Sequence, residues 1–199
     1  GKDPTSVLIY TMLAIVVDET DEKAQAKFQE YQQYGSYDGG LTLASGWSGV
    51  DFSQFRPTDQ VEYIQTNAIQ SMLQSYVEAD PDKIWTIEEI AHWTSIGGNG
   101  PLIIGSPTTV ADRLQEWVEE TGIDGFNLAY ILAHKSFEDV VEFVVPELQR
   151  RGVYQTEYAA GTLREKLFGQ GPLLAENHRG ASFRYHSQQI KPLVVAAKA

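Results

Sequence analysis

The feature that most constrains this chain is a repeated alternation in its second half. Pro101-Leu102-Ile103-Ile104 reads as a short strand, Gly105 turns the chain, and Ser106 offers an N-cap hydroxyl. Pro107 then takes the first helical position, where a missing N–H costs no intrahelical bond. Val110, Leu114, Trp117 and Val118 recur at helical spacing, and Gly122 is placed to end the helix. Ile123 to Tyr130 gives a second strand. Ser136 with Asp139 reads as the cap of a further helix, buried along Val140, Val141, Val144, Val145 and Leu148. Arg150 and Arg151 suit its negative end, and Gly152 closes it. Strand, helix, strand, helix with short connections implies parallel strands joined by right-handed crossovers. Leu102–Ile104 and Phe126–Leu128 are therefore expected to be neighbours in one sheet.

The first half opens with Val7 to Val17, a continuous apolar run bounded by Pro4 and Asp18, which reads as a strand buried on both faces. Thr20 caps a helix with Ala24, Phe28 and Tyr31 on one side and an end near Gly35. From Gly35 to about Pro57 the glycines, including the Gly39-Gly40 pair, break any period. Leu41, Leu43, Trp47, Phe52 and Phe55 are nonetheless too apolar for a free linker, so an ordered excursion is expected. Thr58 begins a helical pattern through Val61, Ile64, Ala68, Met72 and Tyr76. Thr86 and Glu89 form a capping box ahead of Ile90 and Trp93.

Composition removes several function classes. The chain has 199 residues, is 42% hydrophobic and can bury a substantial core. A formal charge of -12, with no basic run beyond Arg150-Arg151, argues against nucleic acid, whose phosphates need clustered cations. Without cysteine there are no disulfides or thiolate metal sites, which fits a reducing, cytoplasmic setting. No apolar stretch approaches the roughly 20 residues of a membrane helix. His92, His134, His178 and His186 have no metal-ligand spacing, so no metal site is expected. The opening Gly1-Lys2-Asp3-Pro4 reads as a cut inside a longer sequence.

Three segments carry a resemblance. They are Gly105 to Trp117 (GSPTTVADRLQEW), Asp124 to Leu128 (DGFNL) and Val144 to Gly152 (VVPELQRRG), with Thr156-Glu157-Tyr158, Thr162-Leu163-Arg164-Glu165 and Phe183-Arg184-Tyr185 continuing it. Together they resemble the closing units of the flavin-dependent monooxygenases of the bacterial-luciferase superfamily. The branch is that of the nitrilotriacetate, EDTA, dibenzothiophene-sulfone and long-chain alkane monooxygenases. The resemblance implies an α/β fold, the C-terminal part, about strands 6–8, of a (β/α)8 TIM barrel. Residues 1–199 would be a partial barrel domain, 35–100 a long helical insertion before strand seven, and 153–199 a C-terminal extension. It further implies reduced FMN supplied by a separate flavin reductase, dioxygen, a small organic substrate, and assembly as a homo-oligomer.

In this family most flavin contacts come from strands one to five, which would precede Gly1, so the residues present offer only secondary candidates. Ser106 and the amides at the start of its helix suit a phosphate, or are a plain cap. His134 follows strand eight, at the barrel end where catalysis occurs, or is a loop histidine. Asn127 and Ala129 point to one side of their strand and Phe126 and Leu128 to the other, and sequence leaves open which side is the lumen. Trp47, Phe52 and Phe55 are candidates for a lid over an apolar substrate at the C-terminal mouth, or pack on the barrel. Gly97, Gly98 and Gly100 around Asn99 admit a ligand or a turn. Two other functions remain open: a catalytically silent barrel fragment acting as an interaction module, and a deazaflavin-dependent oxidoreductase of the same superfamily.

Overall fold

The computed structural model describes residues 6–62, 67–78, 80, 82–96 and 100–183. Ile64, Gly97, Gly98, Asn99, His186 and the Arg184-Tyr185 end of the tail motif lie outside them. Residues Val7–Gln155 form one compact unit, and the described residues from Thr156 onward belong, with Ser6, to a second.

In the larger unit, strand β1 (Tyr10–Val17) is followed by helix α1 (Asp21–Gln33), whose cap Thr20 accepts from the Lys23 amide. The region between α1 and the next strand holds helices α2 (Tyr37–Ser48), α3 (Gln70–Glu78) and α4 (Ile87–Thr94), with a short 3-10 turn at Phe52–Gln54. Then come β2 (Leu102–Gly105), α5 (Pro107–Thr121), β3 (Gly125–Ala129), α6 (Lys135–Asp139), a π-helical segment (Val140–Val144) and α7 (Val145–Arg150). In the second unit α8 (Leu163–Phe168) carries the Thr162–Glu165 capping box and ends at a left-handed Gly169.

The three strands are parallel as expected, but their order is β2-β1-β3. β2 and β3 are not neighbours, which corrects the expectation that they pair as consecutive barrel strands. The physical reason lies in β1, the longest strand and the one fully apolar from Leu13 to Val17. In a three-stranded sheet only the middle strand has both edges hydrogen-bonded, and β1 takes that place. Leu13, Ile15 and Val17 pack with Ile103, with Val110 and Leu114 of α5, and with Val144. Ala14 and Val16, pointing the other way, are equally buried. Both faces of this half of β1 are covered, as its unbroken apolar run predicts.

The insertion has its own core of Ala44, Val50, Phe52, Met72, Leu73, Tyr76, Ile87 and Ile90. Two expectations are corrected there. The Gly39-Gly40 stretch, expected to be aperiodic, is inside α2. Gly40 lies so close to α4 that a Cβ would sit 1.9 Å from the Ala91 carbonyl oxygen, so the glycine serves helix contact rather than a turn. The helix expected from Thr58 begins only at Gln70, because Val61 N donates to Trp85 O at 2.9 Å and Gln60 bridges Thr86, drawing that segment into extended pairing.

The last helix is also not regular. Ser136 does not cap it with Asp139: its hydroxyl accepts from the Ile131 and Leu132 amides, each at 3.1 Å, while Asp139 is buried against lysines. The turn before Pro146 widens to a π-helix, with Val145 N donating to Val140 O. Proline has no N–H for the carbonyl four residues back and its ring crowds that carbonyl, and an extra residue in the turn relieves both. The added residue rotates the stripe, which leaves Val141, expected in the core, exposed.

Arg151 ties two of the sequence motifs together. Its guanidinium donates to Glu147 and Gln115 at 2.7 Å, to Asp112 at 2.6 Å and to Thr108 O at 3.2 Å, clamping the end of α7 on α5. Hydrogen bonds from Arg150 and Arg151 hold the Glu147 carboxyl down to about 2. This stabilisation is complete above the ordinary carboxylate range and fades only as pH falls toward that value.

Arg151→Lys is expected to lower unfolding free energy by about 1–2 kcal/mol, since an ammonium cannot reproduce the planar fork. Denaturant titration measures it, and the difference from the parent should shrink progressively as pH falls from the ordinary glutamate range toward about 2, where Glu147 protonates in the folded protein. In α2, Gly40→Ala should destabilise by about 2–3 kcal/mol through the clash with α4. Gly46→Ala, in the same helix with no atom near its added methyl, should instead stabilise by about 0.5–1 kcal/mol.

Candidate functional site

β1 and β2 end level with one another, Val17 opposite Gly105, and the loop after β3 runs at the same end of the sheet. Carboxyl ends of parallel strands are where sites form in α/β folds, because the following loops converge there. Here they bring together Asp18, Asp21 and Lys27 from the first strand-helix unit, Ser106 from the second, and the loop from Tyr130 to His134 with Asp139 from the third.

Lys27 lies on the inward face of α1, one position before Phe28. Its ammonium has three acceptors: Val17 O at 2.8 Å, Asp18 Oδ2 at 2.8 Å and Asp139 Oδ2 at 3.1 Å. The other oxygen of Asp139 is 2.9 Å from Lys135 Nζ, though without the alignment of a hydrogen bond. The Asp139 side chain is only 4% exposed, so its charge depends on these two lysines. Burial opposes the Lys27 charge, but the hydrogen bonds to Asp18 and Asp139 outweigh it and raise the Lys27 pKa. The same contact, with the Glu19 amide, holds Asp18 below the usual carboxylate range. Lys27 is thus a fixed cation at neutral pH, suited to holding elements in place and unsuited to acting as a base or nucleophile.

His134 stands at the start of α6 with φ 65° and ψ -56°, and it is the one non-glycine residue with positive φ among the described residues. Lys135 N donates to Ala133 O at 2.9 Å, closing a γ-turn centred on His134. This backbone state is strained for a residue with a Cβ and persists only where its surroundings over-determine it. The turn is bracketed by Ser136, which ties the Ile131 and Leu132 amides, and by Lys135, whose ammonium faces Asp139. The imidazole itself is exposed.

The other candidates are placed as follows. Ser106 is an N-cap: its Oγ accepts from Thr109 N at 3.3 Å, and its own amide donates to Asp21 Oδ1 at 2.6 Å. A carboxylate of the same chain therefore sits where a phosphate would bind, held below its usual range first by that amide. Phe126 and Leu128 pack toward the α5 side, which puts Asn127 on the opposite face, where it is exposed beside its register partner Met12. Phe52 belongs to the insertion core and Trp47 packs against it, while Phe55 is partly exposed and joins Phe52 in lining an open hollow of about 490 Å3. The insertion is anchored at the end of the sheet where β2 begins: Gly35 meets Ser95 and Ile96, and Leu102 shares a hollow with Phe28, Trp93 and Ile96. His92 is on α4, 3.9 Å from Glu88, and His178 is in the second unit. Among the described residues no group of three or more His, Asp or Glu side chains is arranged to hold a metal, and no helix is long and apolar enough to cross a membrane.

Sequence reasoning assigns Lys27 no role and reads Asp139 as part of a cap. A signal existed: a lysine embedded in the Ala24, Phe28, Tyr31 stripe of a helix must bring its charge to a partner.

No protein-family model matches the chain. It is 37% identical to dimethyl-sulfide monooxygenase of Hyphomicrobium sulfonivorans over 185 residues, 92% of this chain and 38% of that protein. It is 34% identical to long-chain alkane monooxygenase of Geobacillus thermodenitrificans over 191 residues, 96% of this chain and 39% of that protein. The structure superposes on the crystal structure of a riboflavin lyase with modified FMN and riboflavin at a TM-score of 0.74, with 29% identity, covering 92% of this chain and 40% of the other. It superposes on the Hyphomicrobium enzyme at 0.71, covering 83% of this chain and 34% of that one. The chain spans under two fifths of the length of the monooxygenases it matches. The homologues that cover most of this chain are luciferase-like FMN-dependent monooxygenases, of the branch its motifs resemble.

Proposed function

We propose that the chain is the closing part of a flavin-dependent monooxygenase that oxidises a small organic molecule with dioxygen, using reduced FMN from a separate reductase. The observation that carries the reading is identity of 34–37% to two monooxygenases across more than nine tenths of the chain. Small sulfides and alkanes, named by those relatives, are the substrate classes to try first. On this reading β1, β2 and β3 are the last three strands of a (β/α)8 barrel. The β2-β1-β3 order then belongs to a sheet lacking its preceding strands, and β3 gives up its edge of β1 when those are present. Assembly as a homo-oligomer in a reducing, cytoplasmic setting belongs to the same reading.

The residues present fit FMN only in part. Asp21 fills the anion position at Ser106, and the nearby lysines Lys27 and Lys135 face Asp139, so the phosphate is assigned to residues outside this chain. Reduced FMN, when bound, supplies the electrons that allow one oxygen atom of dioxygen to enter the substrate while the other leaves as water. The chain's own contribution is the sheet face opposite α5, on which Tyr10 and Met12 of β1 and Asn127 of β3 are exposed. Met12 and Tyr10 offer an apolar wall that excludes water, and the Asn127 amide offers one donor and one acceptor to a polar ring edge. His134 adds an imidazole at the C-terminal edge as a candidate proton carrier.

In the full-length protein, Asn127→Ala should lower kcat/KM about 10- to 100-fold while leaving the thermal unfolding midpoint within about 2 °C, the split expected of an amide that serves the site rather than the fold. An unchanged kcat/KM would remove Asn127 from the site. Residues 1–199 alone should fail to quench FMN fluorescence saturably at micromolar concentration. Saturable binding there would place the phosphate site in this chain.

A further inference from the structure

The hollow between α1, the insertion and the start of β2 takes no part in the flavin reading, yet its walls carry a defined chemistry. We propose that it is a binding site for a small quaternary ammonium cation, which enters by displacing the Lys83 ammonium from the Trp85 ring. The hollow measures about 310 Å3, and Phe28, Trp85, Trp93, Ile96 and Leu102 form its apolar walls. Consecutive elements build it, from α1 through the insertion into β2. It therefore needs only the β1–β2 pairing, which the barrel reading keeps.

Three observations select a cation over a neutral apolar guest. Trp85 and Trp93 meet edge to face, with ring centroids 5.9 Å apart and planes at 69°, so the two indoles make a corner. Tyr76, 5% exposed, backs Trp85 at 5.2 Å, and the Thr86–Glu89 capping box fixes the turn between Trp85 and the helix that carries Trp93. The corner is thus preformed, and indole faces attract positive charge through the ring quadrupole. Second, the site already holds a cation of its own: Lys83 Nζ stands 3.7 Å from the centre of the Trp85 ring. No ion pair with a described carboxylate draws it there, although residues 78–89 carry Glu78, Asp80, Asp82, Glu88 and Glu89 against this one lysine. Third, that excess of negative charge, with Glu89 itself on the wall of the hollow, favours a positive guest over an anion or a neutral molecule. The side chains of Phe28, Ile96 and Leu102 offer no acceptor to an N–H, so a cation clothed in methyl groups suits these walls better than a bare ammonium. Lys83 is exposed on a flexible stem and can leave the ring for water.

Ligand-observed NMR titration of the full-length protein with choline, and with its neutral isostere 3,3-dimethyl-1-butanol, tests this. It reads binding and not turnover, so it stands whether or not the monooxygenase reading does. Choline should saturate with a dissociation constant of roughly 1 mM or below, and the isostere should bind at least about tenfold more weakly. Lys83→Ala, which removes the resident ammonium, should tighten choline about threefold or more, and Trp93→Leu should weaken it about tenfold. Trp85→Phe serves as the second aromatic variant should Trp93→Leu fail to fold; it keeps a ring in place but a poorer cation acceptor, and should weaken choline about two- to fivefold. Equal binding of choline and its isostere would reduce the site to a plain apolar hollow and overturn the proposal. So would choline binding that Lys83→Ala leaves unchanged or weakens, or that the folded aromatic variants retain in full.

Discussion

The structure depends on β1. From Leu13 to Val17 both faces are buried, and the strand pairs with β2 over Ala14–Val17 and with β3 over Tyr10–Ala14, so the elements of the larger unit outside the insertion are placed by reference to it. β2 and β3 are short, four and five residues, and on their own would be marginal. Each is held by pairing with β1 and by the helices covering the strand faces. The end of β1 also fixes the candidate site, since the Val17 carbonyl orients Lys27, and Lys27 reaches across to the third strand-helix unit. Strand order and site geometry thus have one origin: a fully apolar strand demands cover on all sides, and its polar end collects what remains charged.

Local signals were legible and distant ones were not. Thr20, Ser106, the Thr86–Glu89 box and Gly122 act within four residues of where they stand, and each performs the capping its spacing suggests for its helix. Ser136 and Asp139 have the same spacing and do something else, because Lys27, 112 residues away in sequence, offers Asp139 a stronger partner than a backbone amide. Gly40 looked like a breaker and is a contact point, a distinction visible only once α4 lies across α2. Pro146 was written in the sequence, but its remedy, one added residue in the preceding turn, shifts the exposure of Val141 in a way that a fixed 3.6-residue period misses. Strand order failed for the broadest reason: it depends on which other strands are available to pair.

The candidate site shows a similar division. His134 and Asn127 are candidates by their places relative to the last strand, and the structure adds what sequence could not, a strained turn at the first and an open face at the second. Ser106, a plausible anion site by its cap and helix, is occupied by Asp21 from the preceding unit. Trp47 and Phe52 have the aromatic character of a lid and instead build the insertion's own core. In each case residue type set the options, and the neighbour brought in by the fold selected among them.

The central claim is that this chain completes an oxygenase. Its most direct test is to supply the full-length protein with reduced FMN and 18O-labelled dioxygen and to analyse products from a panel of small sulfides and alkanes by mass spectrometry. The account predicts a product carrying one labelled oxygen atom per molecule, with the second label recovered in water. A substrate reduced or dehydrogenated without label, or oxygen consumed only to peroxide with every substrate tried, would contradict it.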